Sequence, residues 1–289
     1  MRPVALALLL AGCAAPDCTR WSEPAQLGTF DAQLAELSGL VASRSQPGVL
    51  YAHNDSGDTA RFFAVTTTGR TITEFLVDGA SNVDWEDIAL GPCPAGTCLY
   101  IADSGDNERT RTDLALYRLT EPGGLLAASV SPKKSIAAEK FRFQYPATRY
   151  DAEALFVHPA TGRVYLVTKE GAGERAHLFR FPATLDAATT ATLEEVGKLS
   201  VPTDTQTPVT AADVSPSGQS VLIRMGNVTV QLAAPAGDFE AFRAATPGVV
   251  PTAVEPQGEA VAFLADGLGY VTSSEKAGGP PLDGSTCVR

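Results

Sequence analysis

Short apolar runs rich in Val, Thr, Tyr and Phe recur along the chain, bounded by Gly, Pro, Asn, Asp or Ser, which is the pattern of β-strands separated by turns. No long segment carries a helical period; only "FEAFRAA" and "LDAATTATLEE" offer a helical turn or two. The runs repeat in pairs. Five segments align: "ELSGLVAS" with "VLYAHNDSG", "DWEDIALG" with "CLYIADSGDN", "DAEALFVHPATG" with "RVYLVTKEG", "VTAADVSPSG" with "SVLIRMGN", and "QGEAVAFLADG" with "LGYVTSSEKAG". Each reads as strand, turn, strand, with Tyr51, Tyr100, Tyr165 and Tyr270 at matching places in four second strands. The aligned first-strand positions are Ser38, Glu86, Glu153, Thr210 and Glu259, about 50 to 70 residues apart. Such intervals hold a four-stranded propeller blade with variable loops. "RFFAVTT", "TITEFLVDG", "LALYRLT" and "KFRFQY" supply further strands.

The fifth repeat has too little chain left for four strands, while "RWSEPAQLGTF" lies unassigned ahead of the first. Joining the two completes the count. The expected fold is an all-β, five-bladed β-propeller, with a six-bladed ring as the alternative, closed by pairing N- and C-terminal strands so that no sheet edge is left free. The domain then runs over 18–289, behind a segment 1–12 and a tether 13–17. Two cysteine pairs follow from position. Cys93 and Cys98 flank the turn "PAGT", and Cys18 and Cys287 stand near the two ends, where a bridge requires the termini to meet.

Composition narrows the partners. With 33 acidic against 22 basic residues, the net charge is -11, which disfavours nucleic acid and anionic membrane surfaces. Met1 to Gly12, "MRPVALALLLAG", has the charge and apolar length of a signal peptide and is too short to span a bilayer. Leu10-Ala11-Gly12-Cys13 resembles the lipobox of bacterial lipoproteins, in which the cysteine is lipidated. That resemblance implies export and a lipid anchor on Cys13, and Ala14 in place of aspartate implies the outer membrane. Export permits disulfides. A closed ring is expected to be a monomer.

In a propeller the innermost strand of each blade lines the central channel, so equivalent residues converge. Glu86, Glu153 and Glu259, with Ser38 and Thr210, form the expected axial ring. Glu36, Asp84, Asp151 and Gln257 form a rim, and the second strands add Asn54, Asp55, Asp103, Asp106 and Asn107. Converging carboxylates repel, so either their pKa values rise or a cation neutralises them. Oxygen donors without clustered His or Cys suit calcium, or alternatively magnesium, with Glu86, Glu153 and Glu259 as the expected ligands. The plain alternative is that these side chains accept hydrogen bonds from loop amides and water.

The order of "LSGL", "WEDIA", "AEAL" and "GEAVAF", with "HNDSG" and "ADSGDN", resembles bacterial propellers of the SdiA-regulated type and, more loosely, the domain called esterase-like activity of phytase. The resemblance implies a calcium-binding propeller, often exported or anchored. It departs in the fourth repeat, where Thr210 and Asp213 replace the glutamate pattern. Two functions are open: a binding propeller that takes an unidentified small-molecule or protein ligand on its channel face, or a calcium-dependent hydrolase of esters or phosphoesters. "HNDSG" places His53, Asp55 and Ser56 together, but no "GxSxG" is present. A glycosidase reading uses Asp84, Glu86, Glu153 and Glu259 with Trp85 and Tyr150 as sugar platforms. His158 and His177 read as structural or exposed. Lys169 and Arg224 are candidate contacts for an anion, and each is more simply a solvated charge.

Overall fold

The computed structural model describes residues 17–125, 132–201 and 207–289. The signal segment, Cys13 and the tether up to residue 16 lie outside them. Strand β1 (Ala25–Thr29) is reserved for the last blade. Blade one holds β2 (Leu37–Ala42), β3 (Val49–Asn54), β4 (Arg61–Thr66) and β5 (Thr71–Asp78). Blade two begins with β6 (Trp85–Cys93), β7 (Gly96–Asp103) and β8 (Ala115–Thr120). The chain then returns to lay β9 (Lys134–Ala137) parallel to β5 before β10 (Glu139–Gln144) completes blade two.

Blade three holds β11 (Ala152–Val157), β12 (Val164–Thr168) and β13 (His177–Arg180). After β14 (Ala191–Thr192) pairs parallel with β10, β15 (Glu194–Lys198) closes blade three. Blade four is β16 (Ala211–Val214), β17 (Ser220–Met225), β18 (Val228–Ala233) and β19 (Gly248–Val250). Blade five is β20 (Gly258–Phe263), β21 (Gly269–Ser274) and β22 (Pro281–Thr286), with β1 as its outer strand. The fold is a five-bladed β-propeller.

The two inner strands of the blades read as near-continuous apolar runs because both of their faces are covered. Every residue of β2, β3, β11, β12, β16, β17, β20 and β21 is buried. Outer strands such as β10 alternate between buried and exposed. The core is divided into five hydrophobic clusters, one at each interface between neighbouring blades. Tyr51, Tyr100 and Tyr165 each pack toward the following blade. Tyr270 does not share their place: it pairs one step along, with Phe263, and so faces blade four.

Both expected disulfides are present. Cys18–Cys287 has a Cα separation of 5.7 Å and Cys93–Cys98 one of 5.8 Å. The first lies beside the Trp21 to Cys287 bridge that leads into the β1–β22 pairing. "FEAFRAA" contains a short 3-10 helix, Phe239–Ala244. "LDAATTATLEE" contains no helix: its end forms β14 and the start of β15, because Leu193 is drawn into the interface of blades two and three. No helix of the described residues is long and apolar enough to cross a membrane.

Candidate functional site

The repeated first-strand position coincides with a repeated backbone irregularity. The register shifts between Leu37 and Gly39, Trp85 and Asp87, Ala152 and Ala154, and Gly258 and Ala260. Ser38, Glu86, Glu153 and Glu259 are therefore the extra residue of a β-bulge in four blades. A bulge bends the strand and re-aims one side chain, here at the start of each innermost strand.

Two of these residues meet with three other acids. Oxygens of Asp55, Asp84 and Glu86 lie within 4.8 Å of one another, as do those of Glu86, Asp151 and Glu153. Glu86 belongs to both groups, is 3% exposed, and has no hydrogen-bond donor to its carboxylate among the described residues. Its acidity is pushed well below the ordinary strength, first by burial and then by Glu153, Asp55, Asp84 and Asp151. Burial, with Asp55 next, lifts Asp84 to about 6. Burial also lifts Glu153 to about 8, although Lys169 opposes the change.

Lys169 Nζ lies 2.5 Å from the Glu153 carboxylate. Lys169, with Arg111 acting on Asp84 and Arg109 on Asp151 from further off, leaves five carboxylates short of positive charge. The carboxylates of Glu86 and Asp84 pack directly on the backbone at Gly105, where only glycine lets them lie. A Cβ built on Gly105 would fall 2.0 Å from a Glu86 oxygen and 2.5 Å from an Asp84 oxygen. Hard oxygen donors and a deficit of positive charge fit a divalent cation.

Other expected members go elsewhere. Glu259 stands outside both groups; burial raises it to about 7, against the Gln257 hydrogen bond and the Lys169 charge. Glu36 and Gln257 are exposed at the rim, and Gln257 donates to Glu275 at 2.7 Å. Ser38 donates to the Glu86 carbonyl at 2.5 Å and Thr210 to the Gly258 carbonyl at 2.9 Å, each tying two innermost strands together. Asn54 donates to the Gln33 carbonyl and to Asp58. Asp103 is bound by Arg111 at 2.7 Å, Asp106 caps the amides of Thr110 and Arg111, and Asn107 is exposed.

Arg224 is neither solvated nor available to an anion. It is fully buried, bonds Glu255 at 2.6 Å, and donates to the carbonyls of Gly226, Ala260 and Ser273. Trp85 is fully buried between blades one and two and offers no sugar platform. His53 is also buried, with Nδ1 on the Asn54 carbonyl and burial lowering it to about 4. Its ring fills the space that a side chain at Gly39 would need. Ser56 is exposed, so "HNDSG" builds no nucleophile and base. His158 caps its turn by accepting from Ala160 and Thr161, and His177 lies 2.7 Å from Glu195.

Two further acids act on the channel wall, the second of them the Asp213 of the divergent fourth repeat. Asp87 accepts from the amides of Ile88 and, across the blade boundary, Leu155. Asp213 accepts from Val214 and, in the next blade, Phe263. These amides face the channel edge of innermost strands, where no further strand can pair with them.

No known protein family matches the sequence. No curated protein matches it either. Among solved structures, the chain is similar to Kuenenia stuttgartiensis hydrazine synthase, at 11% identity and a TM-score of 0.42, over 85% of this chain and 57% of that one. No chemistry is carried over from that likeness.

Proposed function

We propose that this protein is an exported, lipid-anchored propeller of the bacterial envelope. In this reading it binds calcium at the axial mouth formed by Asp55, Asp84, Glu86, Asp151 and Glu153, and offers that face to a small-molecule or protein ligand. The observation that carries the reading is Glu86: a largely buried carboxylate shared by two acid groups, packed against Gly105 and with no side-chain or backbone donor to it among the described residues. A buried carboxylate in that position must be protonated or neutralised. Calcium suits a flexible set of carboxylate oxygens better than magnesium, which demands tighter octahedral geometry. The lipobox-like stretch ending at Cys13, two disulfides and a motif order that resembles SdiA-regulated-type propellers support the envelope assignment.

Thermal melts of wild type and Glu86→Gln across a calcium titration test the site. Calcium should raise the wild-type Tm through mass action. The variant should bind calcium more weakly yet be no less stable without it, because carboxylate repulsion is relieved. A loss of about 1–3 kcal/mol in Glu86→Gln, equal with and without calcium, would make the residue a scaffold acceptor instead.

A further inference from the structure

Next to the acidic mouth lies a cleft of opposite character, with a volume of about 480 Å³. It opens between the β7–β8 loop and the segment that joins β10 to β11. Arg109, Arg111 and Arg149 line it together with the buried side chains of Leu114, Phe143 and Tyr145. No acid is among its lining residues, although acids outnumber bases 33 to 22 in the chain.

The arginine loop is held in place. Arg109 is the one non-glycine residue with positive φ, 54°, among the described residues, a conformation that costs free energy and persists where its surroundings enforce it. Asp106 enforces it by accepting from the amides of Thr110 and Arg111, while its own amide donates to Asp151 at 2.8 Å. Glu170 holds the Arg109 fork at 2.9 Å; Arg111 is held by Asp103 at 2.7 Å, by Asp113 at 3.0 Å and by the Gly105 carbonyl at 2.7 Å, and none of these acids lines the cleft. Each guanidinium has five N–H groups, so Arg109 keeps four beyond its pairing and Arg111 two, already oriented. Arg149 is exposed and has no ion-pair partner among the described residues, so its charge is uncompensated.

We propose that this cleft binds a small organic anion, with a phosphate, sulfate or carboxylate group on the arginines and its remaining body against the exposed Ala147 and Thr190 and the arginine stems. The chemistry is that of charge-assisted donors beside a partly apolar wall. It does not require the cation site to be occupied.

Phenyl phosphate, inorganic phosphate and phenol are titrated into the folded protein by calorimetry, with chelator present so that the calcium reading has no part in the outcome. Phenyl phosphate should bind saturably and more tightly than inorganic phosphate, and phenol should not bind. Arg149→Glu should weaken phenyl phosphate at least tenfold. Arg142→Glu, which changes the same charge at an exposed position outside the cleft, should leave binding unchanged. Absence of saturable binding, or equal weakening by both substitutions, would overturn the proposal. Unchanged melting of Arg149→Glu separates loss of binding from loss of fold.

Discussion

Lys169 is the residue on which the acidic mouth turns, because its ammonium occupies part of the space and charge a divalent cation would take. Lys169→Met should therefore tighten calcium binding on the order of tenfold, by removing a like charge beside the metal. Weaker binding in that variant would mean that Lys169 positions Glu153 instead. The acids also set a pH dependence. In the folded protein Asp84, Glu259 and Glu153 titrate at about 6, 7 and 8, whereas unfolded carboxyls titrate near about 4. Between about pH 4 and 8 the metal-free folded state thus binds more protons than the unfolded state, and its stability should fall as pH rises. Saturating calcium should flatten or reverse that slope, since it holds the carboxylates ionised. Urea midpoints across this range, with calcium and with chelator, provide the check; a metal-free stability that climbs with pH would count against the crowded-acid account.

At the scale of the strand, the innermost members of the blades carry a problem that outer strands do not have. Their free edges face a narrow channel, and each amide there needs an acceptor. Asp87 and Asp213 answer it by reaching across to the next blade, and Ser38 and Thr210 answer the matching carbonyls. Asp213→Ala should cost about 1–3 kcal/mol in urea denaturation, because the buried amides of Val214 and Phe263 lose their acceptor. No loss would show that channel water replaces the carboxylate. Bulges complete the strand-level design: they turn Glu86 and Glu153 toward one space while the rest of each strand remains packed on both faces.

For the whole molecule, closure of the ring rests on one strand and one disulfide. β1 joins β22 from the opposite end of the sequence, and Cys18–Cys287 ties a loop of 269 residues beside it. Cys287→Ser should lower stability by about 2–5 kcal/mol, since the unfolded chain regains the freedom the bridge removes. Reduced wild type should match the variant in urea melts. If oxidised wild type and Cys287→Ser melt alike, strand pairing alone closes the ring.

Much of this architecture was legible in the chain itself. Strand pairs recur because each blade repeats one hydrogen-bonding problem, and cysteines at the two ends reveal that the ends meet. Apolar runs without alternation mark strands covered on both sides. What sequence position could not specify is which side chains meet across the axis. A repeat assigns Glu259 the same place as Glu86 and Glu153, but those two stand on neighbouring blades, whereas blade one and blade four separate Glu259 from them on either side. Likewise, Arg224 and Lys169 both lie near the ends of second strands. Packing sends the first into a buried bond with Glu255 and the second into the acidic mouth. The chain determines where along a strand a charge stands; only the closed ring determines which charges share a dielectric and a distance short enough to act together.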